Sequence, residues 1–149
     1  MGKELHMMIG GTGTGKSTKA NEISQNTGFN IFSPDEIEKE NSHLNYNEID
    51  NLIDNELNEQ ISSGESFILD GKCLTVGERK IIISRATEKG YTVYGYDFGC
   101  GNIVTLFRRL NNPRSLESDY WEEVHKSDKR NYVEPEVEEG FERIYMPEK

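Results

Sequence analysis

The chain has 149 residues, a length that fits one domain with a substantial buried core. Charged residues make up 30% of it, and no segment approaches the roughly 18 consecutive apolar residues of a membrane span, so we exclude a membrane protein and expect cytoplasmic residence. Acidic residues outnumber basic ones by 27 to 17, and the net charge of −10 argues against a protein that grips long nucleic acid through its phosphates.

Short apolar runs alternate with segments of helical periodicity along the chain. The predicted strands are Leu5–Ile9, Phe29–Phe32, Phe67–Leu69 and Tyr91–Phe98, with Arg143–Met146 as a candidate edge strand. The predicted helices are Lys16 to about Gln25, Glu48–Ser62, Glu78–Lys89, Asn102–Leu110 and Tyr120–Asn131. This order is typical of a parallel sheet with helices on both faces. We therefore predict one three-layer α/β domain, residues 1–149, with four or five parallel strands.

The segment Gly10–Ser17 reads GGTGTGKS and matches the P-loop pattern G-x-x-x-x-G-K-[ST] between a predicted strand and a predicted helix. In such a loop backbone N–H groups surround a phosphate, Lys16 reaches the β- and γ-phosphate oxygens, and the Ser17 hydroxyl is a magnesium ligand. We therefore predict that the chain binds ATP, or another nucleoside triphosphate donor, with Mg²⁺. The residues expected to hold the nucleotide are Gly10, Gly11, Thr12, Gly13, Thr14, Gly15, Lys16, Ser17 and Thr18.

A dinucleotide-binding fingerprint, G-x-G-x-x-G, is the rival interpretation of the same glycines, and Asp35 lies at the offset of its ribose-binding acid. The third glycine is missing in both possible frames, because Lys16 or Thr18 occupies its position. The sequence therefore excludes a dinucleotide site.

Three further residues are candidates for the acceptor side of a phosphoryl transfer, which needs a proton acceptor and nearby cations. Asp35 follows the second strand and is either the general base or part of a helix cap, since Ser33–Glu36 also resembles a helix start. Asp70 ends the third strand, where a carboxylate supports magnesium or contacts the acceptor. Lys72 is either a substrate contact or a solvated side chain.

A cluster of positive charge follows the fourth strand. Arg108, Arg109 and Arg114 lie between Phe98 and Leu116 with no carboxylate among them. In small P-loop kinases this part of the chain is a lid whose arginines close on the transferred phosphoryl group, a task that suits a permanently charged guanidinium. We predict a small helical lid at about residues 102–118.

With these residues assembled, the chain resembles the kinase domain of the polynucleotide 5′-kinases, the phage and animal end-healing enzymes. The matching segments are Ile9–Thr18, Phe29–Glu36 (FNIFSPDE), Phe67–Lys80 (FILDGKCLTVGERK) and Val133–Ile144 (VEPEVEEGFERI). The resemblance implies an adenylate-kinase-like fold. It also implies that Asp35 is the catalytic base, that Arg109 and Arg114 are the lid arginines, and that the acceptor is the 5′-hydroxyl of RNA or DNA.

Two departures from the family pattern fall on the acceptor side. Glu38 stands where family members often have an arginine that meets an acceptor phosphate, and Gly71-Lys72 replaces the usual Thr-Asn. A small-molecule kinase acting on a nucleoside, nucleotide or sugar therefore stays open, as does a nucleotide-sensing adaptor that transfers nothing. A positive groove leading to Asp35 would favour nucleic acid, and a closed pocket would favour a metabolite. The sequence leaves the oligomeric state open.

Overall fold

A computed structural model of the chain describes residues 2–11, 14–100 and 118–146. Over these residues, parallel strands form one five-stranded sheet in the order β2-β3-β1-β4-β5. The strands are β1 (Lys3–Ile9), β2 (Asn30–Phe32), β3 (Phe67–Asp70), β4 (Tyr91–Asp97) and β5 (Arg143–Tyr145). The helices are α1 (Lys16–Thr27), α2 (Pro34–Glu40), α3 (Tyr46–Ser62), α4 (Val76–Glu88) and α5 (Ser118–Asn131), with a 3-10 helix at Val137–Glu139.

The predicted α/β class and parallel sheet are confirmed, with five strands. The bounds of the observed elements lie within two residues of the predicted ones wherever the two overlap. The predicted helix Asn102–Leu110 lies outside the described residues. No helix in the described ranges is both long and apolar enough to cross a membrane.

Strand β1 lies inside the sheet, paired with β3 on one side and β4 on the other. Every residue from Leu5 to Ile9 is buried. Alternate side chains of a strand point to opposite faces, so a strand covered on both faces needs apolar residues at successive positions and not only at every second one. Met7 belongs to the larger apolar cluster on one face, and Met8 belongs to the cluster on the other.

Helices cover the two faces of the sheet. Helix α1 packs on one face through Ala20 and Ile23. On the opposite face α3 contributes Leu57 and α4 contributes Ile83 to the larger cluster. The result is the helix–sheet–helix layering predicted from the alternation of elements.

The segment after the 3-10 helix closes the core over β4. Phe141 is buried in the larger cluster, and its ring lies where a side chain at Gly95 would have to go. Gly140 has a φ of +121° and lies so close to Ile83 that a Cβ atom there would be 2.6 Å from its Cγ2. These two glycines therefore allow the C-terminal segment to approach the sheet and α4 closely.

We predict that Gly95→Ala destabilises the fold, because the added Cβ would lie 2.9 Å from the Phe141 ring. Overpacking of this kind costs about 1–3 kcal/mol of unfolding free energy, measurable by urea denaturation. The matched control is Gly77→Ala in α4, where nothing lies within 4 Å of an added Cβ; an alanine in a helix should leave stability unchanged or raise it by up to about 1 kcal/mol. Equal effects of the two substitutions would contradict the packing described here.

Candidate active site

The P-loop begins where β1 ends, at the edge of the sheet where the parallel strands have their carboxyl ends. The Gly10 N–H donates to the Lys72 carbonyl, and the Gly11 N–H donates to the Gly99 carbonyl, both at 2.9 Å. The loop is therefore anchored to the segments that follow β3 and β4. Ligands of open α/β sheets bind in the crevice at this edge.

Close backbone approach explains the glycines of the loop. A Cβ on Gly10 would lie 2.9 Å from the Gly99 carbonyl oxygen, and one on Gly11 would overlap the carbonyl of Cys100. Gly15 has a φ of +102° and precedes α1 without a side-chain cap. The first N–H groups of this 12-residue helix are thus left for an anion.

Lys16 is folded back over the loop. Its Nζ donates to the carbonyl oxygens of Gly10 at 2.8 Å and Gly11 at 3.2 Å. Burial lowers the pKa of Lys16, while the negative charges of Asp70 and Asp35 oppose that shift. The structure thus brings the predicted phosphate-binding cation close to both predicted acids.

Ser17 and Asp70 form a direct pair. The Ser17 hydroxyl, in the first turn of α1, donates to Oδ2 of Asp70 at the end of β3 over 2.9 Å. A hydroxyl and a carboxylate are hard oxygen donors of the kind that magnesium prefers. These two side chains therefore fit a Mg²⁺ ion bound between the P-loop and the sheet edge.

Asp35 lies in the first turn of α2 but does not cap it. The cap is Ser33, whose side chain accepts from the Glu36 N–H at 3.4 Å. The helix start that the sequence indicated therefore exists, and it leaves the Asp35 carboxylate available. Asp35 is exposed and lines a cavity together with Ser17 and Asp70.

This acceptor cavity, as we call it, has a volume of about 860 Å³. One end carries Ser17, Asp35 and Asp70, and the cavity extends along β2 to Asn30 and Glu65 at the other end of the strands. Residues of α1, α2 and α3 complete its walls. The cavity therefore joins the P-loop to a space large enough for a second molecule.

Lys72 does not line the acceptor cavity. Its Nζ forms an ion pair at 2.6 Å with Asp128 of α5, a side chain that is 3% exposed. The Lys72 charge is nevertheless close enough to Lys16 to lower the pKa of that residue. The structure thus places Lys72 on the phosphate side of the site, between the P-loop and α5.

Sequence reasoning missed the attachment of α5 to the sheet edge. Asp97, the last residue of β4, accepts from the Gly99 N–H at 2.9 Å and from the Tyr132 hydroxyl at 2.8 Å. Burial and the neighbouring Asp97 raise the pKa of Tyr132, which therefore stays a hydrogen-bond donor. A signal was present, since Asp97 ends its strand just as Asp70 ends β3.

Sequence reasoning also missed Arg79, a fully buried arginine of α4. Its Nε and Nη2 donate to the two carboxylate oxygens of Glu139 at 2.7 and 3.2 Å. Its Nη1 donates to the carbonyls of Cys73 and Leu74, both at 2.9 Å. Arg79 thus fixes the segment that follows Asp70, and Glu139 ties the C-terminal part of the chain to it.

Cys73 and His6 contribute to the packing of the fold. Cys73 is buried, and burial raises the pKa of its thiol to about 12. His6 is hydrogen-bonded through its two ring nitrogens to the Tyr96 hydroxyl at 2.8 Å and to Glu4 at 2.9 Å. Neither residue lines the acceptor cavity.

Some predicted site residues lie outside the described part of the chain. They are Thr12 and Gly13 of the P-loop and the lid arginines Arg108, Arg109 and Arg114. Their roles stay predictions.

A five-stranded parallel sheet covered by helices, with a P-loop after β1, is the fold of the P-loop kinases. Similar solved structures include a gluconokinase from Sinorhizobium meliloti 1021 (TM-score 0.65, 14% identity, 96% of this chain and 81% of that one). A chain of the PezAT toxin–antitoxin system of Streptococcus pneumoniae has a TM-score of 0.67 at 17% identity over 97% of this chain and 66% of that one. The Mycobacterium tuberculosis APS kinase CysC, in complex with AMPPNP and APS, has a TM-score of 0.63 at 12% identity (99% and 90% covered). No family model and no curated protein matches the chain.

We predict that Arg79→Met lowers the free energy of unfolding by about 3–5 kcal/mol, because Glu139 is left as a buried carboxylate without its partner. The control is Arg85→Met in the same helix, since Arg85 pairs with Asp54 at an exposed position. Loss of such an exposed pair costs only about 0–1 kcal/mol. Urea denaturation of both variants measures the difference, and adding Glu139→Gln to Arg79→Met should recover part of the loss. Similar losses in the two single variants would contradict the assignment.

Proposed function

We propose that this chain is a kinase that transfers the γ-phosphate of ATP to a hydroxyl group, with magnesium as cofactor. The observation that carries the proposal is the acceptor cavity, in which Ser17, Asp70 and Asp35 share one end beside Lys16. The groups proposed to bind phosphate, hold the metal and accept the proton thus lie together at this end of the cavity. The gluconokinase and the APS kinase of the same fold are named for phosphorylation of small molecules, which supports the same reaction class here.

The roles follow from the chemistry of each group. Lys16 and the uncapped N-terminus of α1 bind the donor phosphates, and Ser17 and Asp70 hold magnesium, which when bound neutralises charge on the phosphate oxygens. The acceptor oxygen bonds to the γ-phosphorus while the bond to the β-phosphate oxygen breaks and leaves ADP. Asp35 takes the proton of the acceptor hydroxyl. Arg109 and Arg114 are proposed to stabilise the transferred phosphoryl group.

The acceptor is proposed to be a small hydroxyl compound. Glu38 takes the place of an arginine that would meet a nucleic-acid phosphate, and the described lining of the cavity contains no basic residue. The 5′-hydroxyl of RNA or DNA is the second candidate, because the segments around Asp35 and Glu139 resemble those of the polynucleotide kinases. An adaptor without transferase activity is disfavoured, since it has no use for a carboxylate such as Asp35 at the cavity.

We predict that Asp35→Asn lowers phosphate transfer by about 100-fold or more, the usual contribution of a general base, while ATP binding changes little. Lys16→Ala should abolish transfer and weaken ATP binding as well. The assay follows label from γ-labelled ATP onto a panel of sugars, nucleosides and 5′-hydroxyl oligonucleotides. Asp50→Asn, an exposed carboxylate of α3 outside the cavity, is the control and should behave as the unaltered protein. Parallel loss of transfer and ATP binding in Asp35→Asn would show that Asp35 is structural.

We predict that Asp70→Asn and Ser17→Ala each raise the Mg²⁺ concentration at which nucleotide binding is half-maximal. Ser17→Ala removes the hydroxyl of the pair observed between α1 and β3, and Asp70→Asn removes the negative charge and one carboxylate oxygen. Loss of a group that supports a metal typically costs about 10–100-fold in metal affinity. Titrating Mg²⁺ against a fluorescent ATP analogue measures the effect, with magnesium-free binding as an internal control. An unchanged magnesium midpoint in both variants would overturn the assignment.

A further inference from the structure

We propose that the acceptor is a cationic hydroxyl compound, namely a saccharide or polyol that carries primary amines. The inference rests on the proposed function and concerns the acceptor cavity of that same site. It follows from the charge, the length and the remaining lining of the cavity.

Carboxylates dominate the cavity. Seven of its described lining residues are acidic: Asp35, Glu36, Glu40, Glu56, Glu59, Glu65 and Asp70. No lysine, arginine or histidine occurs among the described residues of this lining. Like charges around a concave surface reinforce one another and concentrate counter-ions there. The cavity is therefore built to attract a positive molecule and to repel phosphate groups.

The glutamates of the cavity are not neutralised within the fold. In the described part of the chain, none of these five carboxylates lies within 4 Å of the charged group of a basic side chain. Arg85 of α4 is instead paired with Asp54 of α3 at 2.6 Å. The charge of the cavity thus remains available to a ligand.

The reacting end and the binding end of the cavity are separate. Asp35 and Asp70 lie with the P-loop, whereas Glu65 and Asn30 lie at the opposite end of the edge strand β2. A three-residue strand spans roughly 10 Å at the usual rise per residue, so an occupant must reach about that far. A hydroxyl can then face Asp35 while ammonium groups face Glu56 and Glu59 of α3.

The other lining residues suit a polyhydroxyl compound. Ile31, Phe32 and Ile37 offer apolar surface for the carbon faces of a sugar ring. The amides of Asn30 and Gln60, which are joined by a hydrogen bond of 2.9 Å, offer donors and acceptors to hydroxyl groups. A nucleic-acid 5′ end would instead bring its own phosphates into an acidic cavity, so we favour the aminated saccharide.

The test compares two trisaccharides of the same backbone at a mildly acidic pH, at which the amines of glucosamine are protonated. The β-1,4-linked glucosamine trimer then carries ammonium groups where cellotriose carries hydroxyls. We expect calorimetric titration to give the glucosamine trimer an affinity at least about tenfold higher than that of cellotriose, since several charge pairs each contribute modestly. The advantage should shrink between about 0.05 M and about 0.5 M salt, because exposed charges are screened.

Charge removal identifies the surface responsible. The double variant Glu56→Gln with Glu59→Gln should lose most of the preference for the glucosamine trimer. The control, Asp50→Asn with Glu88→Gln, removes the same charge from exposed positions outside the cavity and should keep the preference. An equal loss in both double variants would show only a long-range charge effect and would overturn the assignment to this cavity.

The outcomes separate this inference from the proposed function. Equal affinities for cellotriose and the glucosamine trimer would overturn the inference, whatever the protein phosphorylates. Transfer that depends on Lys16 and favours cellotriose or an oligonucleotide would overturn it while supporting kinase activity. Preferential binding of the glucosamine trimer without any phosphate transfer would support the ligand class and overturn the proposed kinase reaction.

Discussion

The site depends on the packing of β1 between β3 and β4 with both of its faces covered. Because the three strands are parallel, their carboxyl ends meet at one edge, where the P-loop follows β1 and the acids Asp70 and Asp97 end the other two. Gly10 and Gly11 donate hydrogen bonds to the neighbouring segments and lie so close to them that neither position has space for a Cβ atom. Burial of one apolar strand thus positions the phosphate-binding backbone and the acids beside it.

A second constraint holds the far end of the chain against this edge. Arg79 is buried and makes charge-assisted bonds to Glu139, so its desolvation is offset only while the C-terminal segment stays in place. Nη1 of Arg79 donates to the carbonyls of Cys73 and Leu74. The N–H of Val133, just after α5, also donates to the Leu74 carbonyl. The segment after Asp70 is therefore fixed by contacts with residues that are distant in sequence.

Local patterns were enough to predict much of this architecture. The first and third strands follow from apolar runs that end at Gly10 and Asp70, and the P-loop follows from its glycine pattern, so each of these signals is local. The partners of Lys72 and Arg79 could not be predicted, because they lie 56 and 60 residues away and depend on how α5 and the 3-10 helix dock. In the sequence, Glu56 and Glu59 fit the solvated face of an amphipathic helix. Only the folded structure shows that this face borders the cavity along β2.

The two sides of the site differ in electrostatic character. On the donor side, Lys16 and the N-terminus of α1 present positive charge to a polyphosphate. On the acceptor side, all of the charged residues in the described lining are acidic. A triphosphate is therefore repelled from the acceptor cavity, and a cationic acceptor is repelled from the P-loop, so the two substrates do not compete for one position. Charge separation of this kind also explains how a chain with a net charge of −10 can still bind a polyanionic donor, because Lys16 and the helix dipole act on the donor in the same direction.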